Sequence, residues 1–258
     1  MPIDFDAYLE QLARSDEADA YLELDRDKEL EYLRYAAFRF RHTARCLPAS
    51  GGPRRILDIG TTPFTLYLKA SRPDDEVTTL DRTTLLADRC RAAGVAHATC
   101  DLDVDPFPFP DEAFDVVVFT EVLEHVFRPP SEVLGEVRRI LAPGGMLVLS
   151  VPNIAYVLNR VRLLLGRTPL EDPDQQMNKS WVHGHGHLHE YTLRELERVV
   201  PRAGLRIESR HFLGRRVGEA LRDPHARLPR RIYNAFEYAL TRALPSTRPQ
   251  IHLICRRA

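Results

Sequence analysis

Apolar positions along the chain change their spacing twice, and those changes divide it. From residue 4 to 46, Tyr21, Leu22, Leu30, Leu33, Tyr35, Phe38 and Phe40 recur among charged residues at helical intervals. The Pro-Ala-Ser-Gly-Gly-Pro run at 48–53 stops that pattern and reads as a linker. Short apolar runs then alternate with helical ones. Strands are predicted at 55–60, 76–81, 96–101, 114–119 and 146–151, with helices at 64–70, 83–93 and 130–141 between them. Several of these runs are apolar throughout, which a strand needs when helices cover both of its faces, as in a parallel sheet. Further on, a helix is predicted at 155–165, a polar connection at 166–190, and a helix at 192–203 that opens on a Thr192…Glu195 capping box. A strand at 205–212, two arginine-rich helical pieces at 214–222 and 229–244, and a last strand at 250–256 complete the chain, which has no internal repeat.

The expected fold is therefore α/β: a Rossmann-like, seven-stranded, mostly parallel sheet with helices on both faces. Residues 1–47 form an N-terminal helical cap or extension. Residues 54–258 form the main domain, with a lid-like linker at 166–190 and a helical insertion at 213–248 before the last strand. An insertion of that length in a compact domain points to a job of its own.

Composition narrows the function only slightly. An apolar content of 44% in 258 residues supports a sizeable core, and 36 basic against 37 acidic residues argues against a nucleic-acid partner held by bulk charge. Cysteines at 46, 90, 100 and 255 include no CxxC pair and fit reduced thiols. The opening MPIDFDAYLEQ has neither a basic region nor an apolar run, and no stretch nears the roughly 20 apolar residues of a membrane span. A cytoplasmic protein without a membrane span is expected.

In an open parallel sheet, ligands lie beyond the carboxyl ends of the strands, where the strand order reverses. Four such ends carry suitable groups. Asp58 and Gly60 follow the first strand, where a glycine permits a tight turn beside a ligand. Asp81 ends the second, at the spacing expected of a carboxylate that binds a ribose diol, although such a carboxylate also caps helices. Asp101 and Leu102 follow the third, and Thr120 and Glu121 follow the fourth.

The segments ILDIG (56–60), TTLDR (78–82), FPFPDEAFDVVVFTEVLEHV (107–126) and ILAPGGMLVLSVPN (140–153) together resemble class I S-adenosylmethionine-dependent methyltransferases over about residues 54–212. The resemblance implies S-adenosylmethionine as cofactor, with Asp58 and Gly60 by its methionine part, Asp81 on the ribose, Asp101 and Leu102 at the adenine, and Thr120 nearby. The family's first loop usually carries three glycines. Here it reads Gly60-Thr61-Thr62-Pro63-Phe64-Thr65, with only the first retained. A cofactor-binding protein that has lost catalysis is the alternative which that departure raises. A nicotinamide-dependent dehydrogenase is disfavoured for want of GxGxxG.

Beyond the cofactor, two clusters compete for the chemistry. Glu121, Glu124 and His125 stand at i, i+3 and i+4, so an α-helix would put all three on one face. His183, His185, His187 and His189 fall within seven residues. Each cluster also has a plain reading, as loop braces or solvated loop histidines. ExxEH followed by a histidine before an aromatic-Thr helix start resembles metal-dependent methyltransferases of vicinal hydroxyls, among them small-RNA 2′-O-methyltransferases and some quinone-pathway enzymes. That resemblance implies that Glu121, Glu124, His125 and His187 hold Mg²⁺ or Mn²⁺, which lowers the pKa of the acceptor hydroxyl. Without a metal, His125 or His187 is the candidate general base. VPN (151–153), NRVRLLLGR (159–167) and GHLHEYTLREL (186–196) resemble methyltransferases of bacterial polysaccharide and natural-product pathways, which implies a saccharide or other small polyhydroxylated acceptor. RNA is the competing acceptor. Tyr32, Tyr35, Phe38 and Trp181 are candidates for stacking on a sugar or ring, although the first three also fit helix-to-core packing. The arginines at 210, 215, 216, 222, 227, 230 and 231 are candidates for holding an acidic or phosphorylated acceptor, although a solvated basic face accounts for them as well.

Overall fold

A computed structural model describes residues 4–14, 26–49, 52–170, 186–214 and 228–258. Two helices lead: α1 (Phe5–Arg14) and α2 (Arg26–Cys46). The sheet then builds through β1 (Arg55–Ile59), α3 (Pro63–Ser71), β2 (Glu76–Asp81), α4 (Ala87–Ala92), β3 (Ala96–Thr99), β4 (Phe114–Thr120), α5 (Pro130–Ile140) and β5 (Leu141–Pro152). It continues with α6 (Val157–Leu164), α7 (Leu193–Arg202), β6 (Leu205–Leu213), α8 (Leu228–Ala243) and β7 (Gln250–Arg257). Trp181, His183 and His185 lie outside the described residues, as do most of the proposed lid and the first arginine-rich piece.

The seven strands run in the order β3-β2-β1-β4-β5-β7-β6. All neighbours are parallel except β7, which is antiparallel to both β5 and β6. The mostly parallel seven-stranded sheet with helices is thus as expected. Residue alternation sorts the core into two layers. Leu57, Ile59, Val117 and Phe119 face α5 and α7, through Val133, Val137, Leu196 and Val200. Ile56, Val116, Val118, Met146 and Ile254 face the other way, against Leu33, Ala36, Ala37 and Phe40 of α2 and Phe64 and Leu68 of α3. Strands that are apolar on both sides therefore need both layers, and α2 supplies part of the second. Each fully buried Val, Leu, Ile, Phe or Met among them contributes about 1.5–3 kcal/mol. Among the described residues no helix is long and apolar enough to cross a membrane.

The Pro-Gly-Gly run at 143–145 does not break the chain out of the sheet. It lies within β5, and the β4 register shifts between Phe114 and Val116 beside it. This is the irregularity that a bulge introduces when glycine and proline interrupt a ladder.

Candidate active site at the strand switch

Strand order reverses between β1 and β4, and a cavity of about 270 Å³ opens there. Its walls include Gly60, Asp81, Asp101, Leu102, Val122 and His125. Four of the six expected cofactor residues thus meet in one space. Ile59, Leu80, Val122 and Val126 also line it. The strand-end position alone did not single them out, because each reads in the sequence as ordinary core.

Gly60 has φ +88° and donates its N–H to the Leu80 carbonyl at 2.9 Å. A Cβ there would meet Val122 Cγ2 at 2.7 Å, so both the backbone angle and the space require glycine. The loop after it dispenses with further glycines by capping α3 with side chains. The Thr62 hydroxyl accepts from the Phe64 N–H, the Thr65 hydroxyl accepts from the Thr62 N–H, and Pro63 occupies the first turn. The altered loop is therefore a well-formed helix start.

Asp58, expected beside the cofactor, is not in the cavity wall. It is buried under the loop, where Thr65 Oγ1 donates to its Oδ2 at 2.6 Å. Burial, aided by the nearby Asp81 charge and opposed by that hydrogen bond, pushes its carboxyl up to about 7. The folded protein therefore keeps a proton that the unfolded chain releases near about pH 4, and stability declines as pH rises between about 4 and about 7. Asp58→Asn retains an oxygen for Thr65 and removes the titration. Its denaturant midpoint is expected to vary less with pH across that window than the unmodified protein's, and equal slopes would refute the assignment.

Asp81 is held from both sides at the cavity mouth. Its Oδ2 accepts from the Thr61 N–H at 2.8 Å, and its Oδ1 accepts from the Thr83 N–H at 2.9 Å. Asp101 Oδ1 accepts from the Asp103 N–H. Asp103 in turn accepts from the backbone of Phe127 and Arg128, which fixes the loop opposite. Thr120, the remaining expected contact, does not line the cavity.

The chemistry after β4 takes a different shape from the helical face expected of Glu121, Glu124 and His125. Glu121 has φ +57°, and only a single 3₁₀ turn, Leu123–His125, follows. A left-handed glutamate costs about 1–3 kcal/mol and persists where its surroundings hold it. Ser150 Oγ donates to Glu121 Oε1 at 2.8 Å, Gln250 Nε2 donates to Oε2 at 2.9 Å, and Arg39 of α2 lies 3.2 Å from Oε2. Glu121 is engaged by these contacts and is not among the side chains whose candidate ligand atoms lie within 4.8 Å of one another. Arg39, Ser150 and Gln250 come from three distant elements, and nothing local in the sequence could have marked them.

Glu124, His125 and His187 do come together, each offering a ligand atom within 4.8 Å of the others. Glu124 is 1% exposed, and neither carboxylate oxygen has a hydrogen-bond partner among the described residues. Burial first, then the Glu121 charge, raises its carboxyl well above the usual range. The Glu124 carbonyl accepts from the N–H groups of Leu188 and His189, which pins the histidine segment beside it. The rings of His125 and His187 stand edge to face at 4.9 Å, and His187 Nδ1 lies 3.0 Å from Glu190 Oε1. His189 is drawn elsewhere, to Glu195 at 3.3 Å.

A family profile described as a methyltransferase domain matches residues 27–210. A demethylmenaquinone methyltransferase from Thermus thermophilus is 35% identical over 120 residues, covering 44% of this chain and 54% of that protein. A tRNA N(3)-cytidine methyltransferase from Gallus gallus is 28% identical over 173 residues, covering 61% of this chain and 44% of that protein. The matches thus span about half the length of these curated relatives. Among solved structures, an S-adenosylmethionine-dependent methyltransferase from Mesorhizobium loti superposes with a TM-score of 0.58 at 18% identity, over 84% of this chain and 97% of that one. One from Archaeoglobus fulgidus gives 0.56 at 18% identity, over 88% and 99%. At such identities the likeness is one of fold.

Proposed function

Because this chain belongs to the methyltransferase-domain family, we propose that it transfers a methyl group from S-adenosylmethionine to an acceptor hydroxyl beside Glu124, His125 and His187. The observation that carries this reading is that His125 belongs both to the cavity wall and to the Glu124–His187 group, so cofactor space and proton-handling groups share one wall. The cavity suits the cofactor. Asp81 presents a carboxylate to a ribose diol, Gly60 lets the chain turn tightly at the cavity wall, and Leu80, Leu102 and Val126 offer an apolar slot to a flat ring. When bound, S-adenosylmethionine supplies an activated methyl on sulfonium, whose in-line transfer leaves a neutral thioether. This chain's part is to orient the acceptor, exclude water and accept the hydroxyl proton on Glu124 or an imidazole nitrogen.

The donor set also fits a divalent ion, since a buried carboxylate with unused oxygens beside two imidazoles is an incomplete set of ligands. One carboxylate and two nitrogens suit Mn²⁺ better than Mg²⁺, which favours oxygen. Such an ion would be held by Glu124, His125 and His187 and would lower the pKa of a bound hydroxyl. Vicinal hydroxyls would chelate it, which favours a saccharide or similar polyhydroxylated acceptor. The tRNA-modifying relative supports RNA as the second reading, and a steep loss of activity with salt would select it.

Calorimetric titration with S-adenosylhomocysteine tests the cofactor assignment. The unmodified protein is expected to bind, and Asp81→Asn to weaken binding by about 10- to 100-fold, the equivalent of losing a charged hydrogen bond. Failure of the unmodified protein to bind, or equal affinity in the variant, would remove the cofactor from this cavity.

A further inference from the structure

A second cluster of ligating side chains lies away from this cavity. His42 and Cys46 stand one turn apart on α2, and β7 turns His252 to the same side of the sheet as Ile254, which packs in the layer that α2 completes. His42, Cys46 and His252 each offer one ligand atom, all within 4.8 Å of one another. His252 is fully buried. Its Nδ1 and the Nε2 of His42 are buried without a hydrogen-bond partner among the described residues. Two such nitrogens in an apolar layer are costly unless something engages them.

The other nitrogen of His252 is already engaged, with Nε2 lying 3.2 Å from Thr43 Oγ1. When that hydroxyl accepts, the ring proton sits on Nε2 and Nδ1 keeps a bare lone pair. An outer hydrogen bond of this kind sets the tautomer of metal-binding histidines. Burial and the neighbouring imidazoles hold both His42 and His252 below the ordinary histidine range, which keeps them in the neutral, ligating form. His211 of β6, opposite His252 in the ladder, adds a third ring 4.8 Å from that of His42. The group contains imidazoles and a thiol but no carboxylate, a donor set that selects a borderline transition ion over Mg²⁺ or Ca²⁺.

We propose that His42, Cys46 and His252 form a second metal site for Zn²⁺, with His211 or a water completing it, and that the ion ties α2 to the β6–β7 pair. Binding converts the Cys46 thiol to thiolate and releases its proton to solvent. Arg39 lies three residues before His42 on the same helix, so the ion would also steady the contact between Arg39 and Glu121. The site is independent of the methyltransferase reading.

The test uses chelator-stripped full-length protein carrying Glu124→Gln, which disables the other candidate metal group. Titration with Co²⁺ is expected to give a thiolate-to-cobalt charge-transfer band in the near ultraviolet, abolished by Zn²⁺ displacement and absent in Cys46→Ser. Thr43→Val is expected to keep the band but weaken affinity about 10- to 100-fold, as removal of an outer hydrogen bond does. No band in the folded protein, or a band unchanged in Cys46→Ser, overturns the proposal. A second readout needs no substitution. Zn²⁺ is expected to slow alkylation of Cys46 by about tenfold or more, in line with strong thiolate ligation, and equal labelling with and without the ion also overturns it.

Discussion

Glu124→Gln is expected to leave the protein folded while lowering methyl transfer by roughly 10²- to 10⁴-fold, the contribution typical of a positioned acid or base. The two halves of that expectation rest on one observation. Glu124 is buried, its oxygens make no hydrogen bond among the described residues, and its carboxyl is raised well above the usual range by burial and by Glu121. A neutral amide of the same shape therefore resembles the form this side chain already favours, and a merely structural Glu124 would tolerate it in activity as well as in stability. As base or as ligand, it would not. His187→Ala is expected to lose activity to a similar degree without losing affinity for S-adenosylhomocysteine, since His187 does not line the cavity. Turnover should also rise with pH through the raised Glu124 range if its ionised form does the work. Chelation separates the two versions: loss of activity with EDTA assigns Glu124 and the histidines to an ion, and indifference to EDTA assigns them to proton transfer. Full turnover in both variants would refute the site.

Arg39→Met is expected to cost about 3 kcal/mol of stability, at the low end of what breaking a buried ion pair costs. The Arg39 and Glu121 side chains are 7% and 16% exposed and lie 3.2 Å apart, so solvent screening is weak. Ser150 and Gln250 remain on Glu121 after the substitution and limit the loss. The residual charge would still sit on a backbone in the left-handed region with one support fewer. Glu121→Gln added to Arg39→Met should recover part of the deficit by removing that charge. Urea unfolding checks both variants. A cost near that of an exposed pair, below about 1 kcal/mol, would mean that the contact is solvated and that α2 does not support the site.

How far the sequence could be read depended on distance along the chain. The sheet was legible because burial on both faces demands apolar runs such as 116–119, and because capping at Thr192 is a local interaction. Gly60, Asp81, Asp101 and Leu102 were legible for the same reason: ends of parallel strands converge whatever the helices between them do. Asp58, expected beside the cofactor, lies in β1 next to the cavity but outside its lining, with its Oδ2 accepting from Thr65.

The sequence by itself determined the α/β order, the two-sided core and the arrival of Asp81 and Asp101 at the strand switch, because each depends on residues within a few positions of one another. Only the tertiary structure decided which members of ExxEH lie together. Arg39 from α2, Ser150 from β5 and Gln250 from β7 capture Glu121, while His187 arrives from beyond 60 residues to join Glu124 and His125. The pairing of His42 and Cys46 with His252 is of the same kind. A ligand set is a matter of distances below 5 Å between side chains far apart in the chain. Those distances are settled by how helices pack on the sheet, which periodicity does not encode.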